Sequence, residues 1–274
     1  MSSPKAPAAP HRAASQHRWL VAVAAALALA LGLHGAIAQP ADYHAFADAR
    51  AWFGLPNAAN VLSNAAFALI GGWGLWRLCA AFGTVADRGH RRAWCCFSGA
   101  LLCTAFGSAL YHGAPGNALL TLDRLPIAWA CAALLCAFLS ERVDPRWADV
   151  PALATALTAA SAAVAWWWIS EQRGQGDLRP YLYVQFLPML LVPVALALKL
   201  PPITSTALGN ATWWWVLGLY ASAKLMEFAD QAIFDALGLV SGHTLKHLLA
   251  AAAAWCLVRS SVRAQLRKSA LIFT

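Results

Sequence analysis

Five polar side chains with the spacing of a metal site lie within some of the most apolar stretches of the chain. Ser108 and His112 are four residues apart, and so are His243 and His247. On a helix, residues four apart share one face. Two such histidines and a third from elsewhere supply the three neutral nitrogen ligands of a catalytic zinc, which keeps a fourth position for water. The sequence therefore predicts a zinc site formed by His112, His243 and His247.

Asp123 and Ser108 supply the remaining groups for hydrolysis at such a zinc, which activates water and polarises a carbonyl. Asp123 is the natural proton acceptor, and Ser108 can hydrogen-bond the water or a developing oxyanion. The alternative is that each polar residue satisfies a neighbour within a helical bundle. That alternative does not explain five polar groups at one depth, because each of them costs free energy in hydrocarbon and such residues usually mark a functional path.

The composition indicates the elements that must position these residues. The chain has 274 residues, of which 60% are hydrophobic and 12% charged, too few charges to cover a soluble globule of this size. Period-2 alternation is absent, so helices are favoured over a barrel. We predict an all-α polytopic transmembrane bundle. Eight apolar segments approach the roughly 20 residues that span a bilayer: 19–38, 57–79, 93–111, 119–140, 150–169, 181–199, 207–228 and 243–262.

The eight segments define four parts of the chain. Residues 1–18 form a basic leader that we expect to be disordered. Residues 19–38 are either a transmembrane anchor or a signal peptide, because basic residues precede an apolar run that ends in a small-residue triplet typical of cleavage sites. Residues 42–262 contain the other seven segments and constitute the main domain. Residues 263–274 form a basic cytoplasmic tail.

The distribution of Lys and Arg predicts the orientation in the membrane. The loop with Arg88, Arg91 and Arg92 and the basic tail fall inside, whereas residues 229–242 contain no Lys or Arg and fall outside. We therefore expect an integral protein of the plasma (inner) membrane with a cytoplasmic C-terminus and a site in the extracytoplasmic half. The net charge of +8 reflects this bias and a basic tail near anionic lipid, not a nucleic-acid partner. The expected partners are the membrane and a lipid substrate from it.

Further polar and aromatic residues lie near the predicted site. Glu227 either orients a ligand imidazole through its other ring nitrogen or forms ion pairs at the membrane interface with Lys224 and Lys246. The tryptophan runs at 166–168 and 213–215 are typical of interfacial anchors.

Four short motifs resemble the alkaline ceramidase family, which belongs to a superfamily that includes the progestin and adiponectin receptors. They are NVLSN at 60–64, SALYH at 108–112, LDRLP at 122–126 and HTLKH at 243–247. The resemblance covers residues 42–262. It implies a seven-helix core and hydrolysis of a ceramide to a sphingoid base and a fatty acid.

The resemblance also implies residue roles. His112, His243 and His247 would bind zinc, and Ser108 and Asp123 would surround the reacting water. Eukaryotic members have an acidic residue of a calcium site at the position of Asn57, with carboxylates just before it. Asp42 and Asp48 remain nearby, but we expect Ca²⁺ to be weakly bound or absent. The polar residues of the first motif, Asn60, Ser63 and Asn64, are expected to have packing roles.

Two classes of function remain open on the sequence. The first is an intramembrane zinc amidase that acts on ceramide or a related N-acyl lipid, with esters as further candidate substrates. The second is a seven-helix, lipid-binding, receptor-like protein with a structural zinc and little or no hydrolysis. We favour the enzyme, because Asp123 and Ser108 accompany the ligands and no sizeable soluble domain is present to transmit a signal.

Overall fold

The computed structural model describes residues 10–80 and 85–272, and this part of the chain is a bundle of α-helices without a β-sheet. The prediction of an all-α polytopic bundle is confirmed. The helices are α1 (Pro10–His34), α2 (Ala58–Ser63), α3 (Ala65–Ala80), α4 (Val85–Gly113), α5 (Asn117–Arg142), α6 (Val150–Gln172), α7 (Arg179–Ala197), α8 (Asn210–Phe228), α9 (Asp230–Leu237) and α10 (Gly242–Ile272). A short 3-10 helix, Pro145–Ala148, joins α5 to α6.

Six of the eight predicted segments form helices that are long and apolar enough to cross a membrane. These are Gln16–His34, Ala58–Ala80, Arg88–Gly113, Asn117–Arg142, Val150–Gln172 and Arg179–Ala197. The other two segments form α8 and α10, which are as long but less apolar. Each carries polar residues of the predicted site, Lys224 and Glu227 on α8 and His243, Lys246 and His247 on α10. Both helices nevertheless pack within the bundle, α10 against α8 and α3.

The two ends of the chain differ in part from the sequence prediction. Residues 1–9 of the predicted disordered leader lie outside the described residues. Residues 10–18 are helical, because α1 already begins at Pro10. α1 lies at the periphery of the bundle and packs against α7, where the Gln16 side chain donates a hydrogen bond to the Leu198 carbonyl oxygen at 2.6 Å. At the other end, α10 continues into the predicted tail and ends at Ile272.

Large aromatic side chains form the centre of the bundle. Trp94 and Trp213 are fully buried, and the ring centroid of Phe138 lies 4.9 Å from that of Trp213. The assignment of the whole run 213–215 to an interfacial anchor is therefore wrong for Trp213. The run lies on a helix, so its members point in different directions, and Trp214 and Trp215 remain exposed.

Candidate metal centre

The three predicted ligands meet at one end of the bundle. His112 is in the last turn of α4, and His243 and His247 are in the first turns of α10. One ring nitrogen from each lies within 4.8 Å of the others, and the ring centroids are 4.8 to 4.9 Å apart. His112 and His247 are buried, and His243 is half-buried. The three side chains are close enough to hold a metal ion.

The separation of two of these nitrogen atoms matches the geometry of such an ion. Nε2 of His112 and Nε2 of His243 are 3.3 Å apart. Zinc binds imidazole nitrogen at about 2.0–2.1 Å with tetrahedral geometry, which places two ligand nitrogens about 3.3–3.4 Å apart. Three imidazoles are also a donor set of catalytic zinc sites. The residues present therefore fit a metal of this type.

A serine fixes the orientation of His247. The Ser63 hydroxyl donates its only proton to the Asn60 carbonyl oxygen at 2.9 Å, and the same oxygen lies 2.7 Å from Nδ1 of His247. Both contacts are satisfied when the serine oxygen accepts from Nδ1–H, an arrangement that leaves the lone pair of His247 on Nε2. Ser63, which the sequence assigns to packing, thus holds a ligand in its metal-binding tautomer. No sequence spacing connects Ser63 with His247, because the two are 184 positions apart.

The segment 39–57 lies over two of the three histidines, His112 and His243. The ring centroid of Phe46 lies 4.6 Å from that of His112 and 5.0 Å from that of His243. Asp230 attaches this cover to α10, because its carboxylate accepts from the backbone N–H of Ala47 at 3.2 Å and from that of His243 at 2.6 Å. Phe46 thus packs directly on two of the three imidazoles. Sequence spacing gives no signal for Phe46, which lies outside the helices.

Two of the three residues considered for calcium, Asp48 and Asn57, have other partners. Asp48 is buried and binds the Arg50 side chain at 2.8 Å. The hydrogen bond from this guanidinium lowers the pKa of the Asp48 carboxyl, although burial alone would raise it. The Asn57 amide donates a hydrogen bond to the His112 carbonyl oxygen at 2.8 Å, which a carboxylate at this position is unable to do. Asn57 therefore attaches the cover to the end of α4.

Two glycines allow the helices to approach closely beside the site. A Cβ atom at Gly107 would collide with the carbonyl oxygen of Leu122, so α4 and α5 nearly touch one residue before Ser108 and Asp123. A Cβ atom at Gly242 would likewise collide with the carbonyl oxygen of Met226. Backbone contact at glycine therefore sets the spacing of α4 from α5 and of α10 from α8.

Ser108 and Asp123 face one another across this contact. Both side chains are buried, and the carboxyl group of Asp123 interacts with the hydroxyl of Ser108. Oδ1 of Asp123 has no hydrogen-bond partner among the described residues. Both residues line a cavity of about 230 Å³ that also reaches His247. The structure thus brings one of the three predicted ligands, His247, to the same cavity as the two predicted reacting groups.

Glu227 and Lys246 form ion pairs. Glu227 accepts from Lys224 at 2.7 Å and from Lys246 at 2.9 Å. The imidazole contact proposed for Glu227 is wrong for His247, since Nδ1 of that ring binds Ser63. The pairing with both lysines follows from their positions, three residues before Glu227 on α8 and opposite it on α10.

No protein-family model matches this chain, and no curated protein shows a significant similarity to it.

Proposed function

We propose that this protein is an intramembrane zinc-dependent amidase that hydrolyses the amide bond of ceramide or of a related N-acyl lipid. The observation that carries the proposal is a single cavity lined by a candidate metal ligand, His247, and by both predicted reacting groups, Asp123 and Ser108. The four sequence motifs resemble those of the alkaline ceramidases and supply the reaction class. A helical bundle with spans for a membrane suits a lipid substrate.

The shape of the cavity supports an acyl chain as part of the substrate. From Asp123 the cavity extends along α5 to Leu134, and from His247 it extends along α10 to Leu257. At a rise of 1.5 Å per residue these stretches correspond to a depth of about 15 Å, half of the roughly 30 Å hydrocarbon core. Phe97, Leu101 and Val216 line the deep end. An acyl chain with its amide at Asp123 would occupy this apolar part.

In the proposed reaction, the protein's own side chains transfer the protons and stabilise the developing charge. When bound by three neutral imidazoles, zinc supplies a Lewis acid that favours the attack of water on an amide carbonyl. Asp123 takes the proton of the attacking water and transfers it to the leaving amine. Ser108, beside Asp123, donates a hydrogen bond to the oxygen on which negative charge develops. Phe46 covers two of the imidazoles and limits the entry of bulk water.

The test compares Asp123→Asn with the wild type. The amide keeps the shape of the carboxylate but accepts no proton from water, so we expect turnover of an N-acyl sphingoid lipid to fall by about 100-fold to 10,000-fold. Zinc stoichiometry should stay the same. Asp235→Asn, an exposed aspartate on α9, is the matched control and should retain activity. Undiminished turnover of Asp123→Asn with zinc bound would exclude Asp123 as the base.

Replacement of a ligand should give a different result. His112→Ala, His243→Ala and His247→Ala should each remove both zinc and activity, since an open zinc site needs all three nitrogens. Full zinc occupancy in all three variants would disprove the metal assignment. The second function, a lipid-binding receptor with a structural zinc, predicts no turnover in the wild type and nearly unchanged lipid binding in Asp123→Asn.

A further inference from the structure

The polar end of the cavity carries an excess of positive charge. Three cationic side chains line it, Arg124, Lys224 and Lys246, together with two acidic ones, Asp123 and Glu227. With both acids ionised, these side chains alone carry a formal excess of +1, and a divalent metal at the neighbouring histidines would add to it. The low dielectric of a membrane interior makes such an excess costly unless a ligand balances it.

The two lysines share one carboxylate. Lys224 and Lys246 bind different oxygens of Glu227, at 2.7 and 2.9 Å. One carboxylate neutralises only one of the two ammonium groups. The side chain of Lys246 is 20% exposed and that of Lys224 is 37% exposed, so Lys224 lies at the rim and Lys246 deeper in the cavity. A second anion near this pair would balance the remaining charge.

Arg124 lines the same cavity and has unsatisfied donors. Its residue is 3% exposed, and its Nε and Nη1 atoms have no hydrogen-bond partner among the described residues. Three aromatic rings surround the guanidinium, with centroid distances of 4.1 Å for Trp167, 5.1 Å for Tyr43 and 5.3 Å for Tyr181. Ring faces attract the cation but accept no conventional hydrogen bond from its N–H groups.

A buried donor without an acceptor carries the full cost of its desolvation. Guanidinium is also the side-chain group whose planar donors match a carboxylate.

The position of Trp167 beside Arg124 corrects the prediction for the run 166–168, which the sequence assigns to interfacial anchoring. Trp167 is fully buried and forms the closest wall of the arginine site.

We propose that the polar end of the cavity binds the carboxylate of a long-chain amphiphile, with Arg124 and the Lys224–Lys246 pair as its partners. A carboxylate offers planar anionic acceptors to the guanidinium and offsets part of the positive charge, whereas the sphingoid half of a ceramide offers Arg124 only neutral hydroxyl acceptors. On the proposed amidase function, on which this step rests, the preferred substrate class is therefore an N-acyl amino acid. A free fatty acid also carries a carboxylate on a long apolar chain and is the second candidate ligand.

Two pairs of probes separate these sources. N-palmitoylglycine and N-palmitoylethanolamine share the acyl chain and the amide and differ in the carboxylate, so the ratio of their kcat/KM values measures recognition of the charge. Palmitate and 1-hexadecanol have no amide, so their dissociation constants, measured by calorimetry in detergent micelles, report binding without hydrolysis. Both pairs are measured on the zinc-loaded, full-length protein.

The variants test the two cationic groups separately. Arg124→Gln removes the guanidinium. Lys224→Gln removes one of the two ammonium groups, while Lys246 keeps its ion pair with Glu227. Arg124→Lys retains the charge without the planar donors and replaces Arg124→Gln in the test if that variant does not fold. The matched control is Arg173→Gln, an exposed cation in the α6–α7 connection. Size-exclusion profiles and helical content show that each variant is folded.

We expect the wild type to prefer N-palmitoylglycine and to bind palmitate more tightly than hexadecanol. Arg124→Gln should reduce each preference by about tenfold to 100-fold, the range of one charge-assisted hydrogen bond. Lys224→Gln should reduce both preferences in the same direction, Arg124→Lys should retain part of them, and Arg173→Gln should leave them unchanged.

Other results overturn the inference or the amidase separately. Hydrolysis of both amides at equal rates, or a preference for the neutral one, overturns the carboxylate site and leaves the amidase intact. Absence of hydrolysis with Arg124-dependent binding of palmitate rejects the amidase but supports the carboxylate site, with a free fatty acid as its ligand. Equal binding of palmitate and hexadecanol overturns the site in either case.

Discussion

At the scale of single residues, each histidine of the candidate metal centre is held by a different part of the chain, through its backbone or its ring. His247 is held by the Ser63 hydroxyl, and the backbone N–H of His243 by the Asp230 carboxylate. His112 has its carbonyl oxygen bound by Asn57, while its Nδ1 has no hydrogen-bond partner among the described residues. Only His247 therefore has a side-chain contact that selects the tautomer.

Ser63→Ala should weaken metal binding without removing a ligand. Without the hydroxyl, the proton of His247 is no longer held on Nδ1, and the loss of such a supporting contact typically costs about 10-fold to 100-fold in metal affinity. Zinc affinity is measured by competition with a chelator of known strength. Ser261→Ala is the matched control, since Ser261 is a buried serine of the same helix as His247 that bonds only its own backbone turn. Equal zinc affinity in Ser63→Ala and the wild type would contradict the role of Ser63.

The sequence predicts the ligands better than their supports, and the reason is physical. The pairs Ser108–His112 and His243–His247 follow from the helical repeat, which is local. Ser63 and Phe46 reach the imidazoles only through tertiary packing, and their residue types are common in membrane helices and loops. Nothing in one sequence distinguishes them from packing residues.

At the scale of elements, helix positions follow from hydropathy, but helix separations do not. The eight predicted segments correspond to helices because the bilayer requires long apolar runs. The separation of α4 from α5 depends on Gly107, whose missing side chain allows backbone contact with Leu122. A glycine in the sequence of a membrane helix indicates a close helix–helix contact only when the backbone that faces it is known.

Gly107→Ala should separate α4 from α5 and thereby displace Ser108 from Asp123. Overpacking of this kind typically costs about 1–3 kcal/mol, and the backbone oxygen of Leu122 is unable to rotate away as a side chain would. We expect lower thermal stability and a loss of activity. Gly99→Ala, on the same helix, is the control, because a Cβ atom there meets nothing within 4 Å and alanine favours a helix interior by about 0.5–1 kcal/mol. Similar behaviour of the two variants would contradict the close contact.

At the scale of the whole molecule, the two ends of the bundle differ in charge and in content. The metal centre, its cover and the cationic end of the cavity lie at the end of the bundle where α4 ends and α5 and α10 begin. Exposed arginines mark the opposite end, at Arg88, Arg146, Arg259 and Arg263. Arg142 also lies there but is buried, and it donates to the carbonyl oxygens of Leu200 and Leu208, so it stabilises the α7–α8 connection. Arg142 is thus an internal structural cation and not a surface charge.

The charged connection between α6 and α7 is compatible with the metal-centre end lying outside the cytoplasm. Asp177 binds Arg179 at 2.9 Å, and the hydrogen bond from this guanidinium lowers the pKa of the Asp177 carboxyl. The Glu171 carboxylate accepts a hydrogen bond from Asn117 at 3.2 Å. Arg179 is therefore paired within the protein.

The orientation is predicted from this charge asymmetry. The positive-inside bias places the arginine-rich end in the cytoplasm, so the metal centre should open towards the extracytoplasmic half of the membrane. A fluorescent reporter fused after Thr274 should be active in the cytoplasm, and an epitope inserted at Gly174, where the connection has a left-handed φ of 71°, should be accessible to antibody on intact spheroplasts. The matched control is an epitope at Arg146, in the short connection of the opposite end, which should become accessible only after permeabilisation. Accessibility of the Arg146 epitope on intact spheroplasts would reverse the topology, and with it the side on which the proposed hydrolysis releases its polar product.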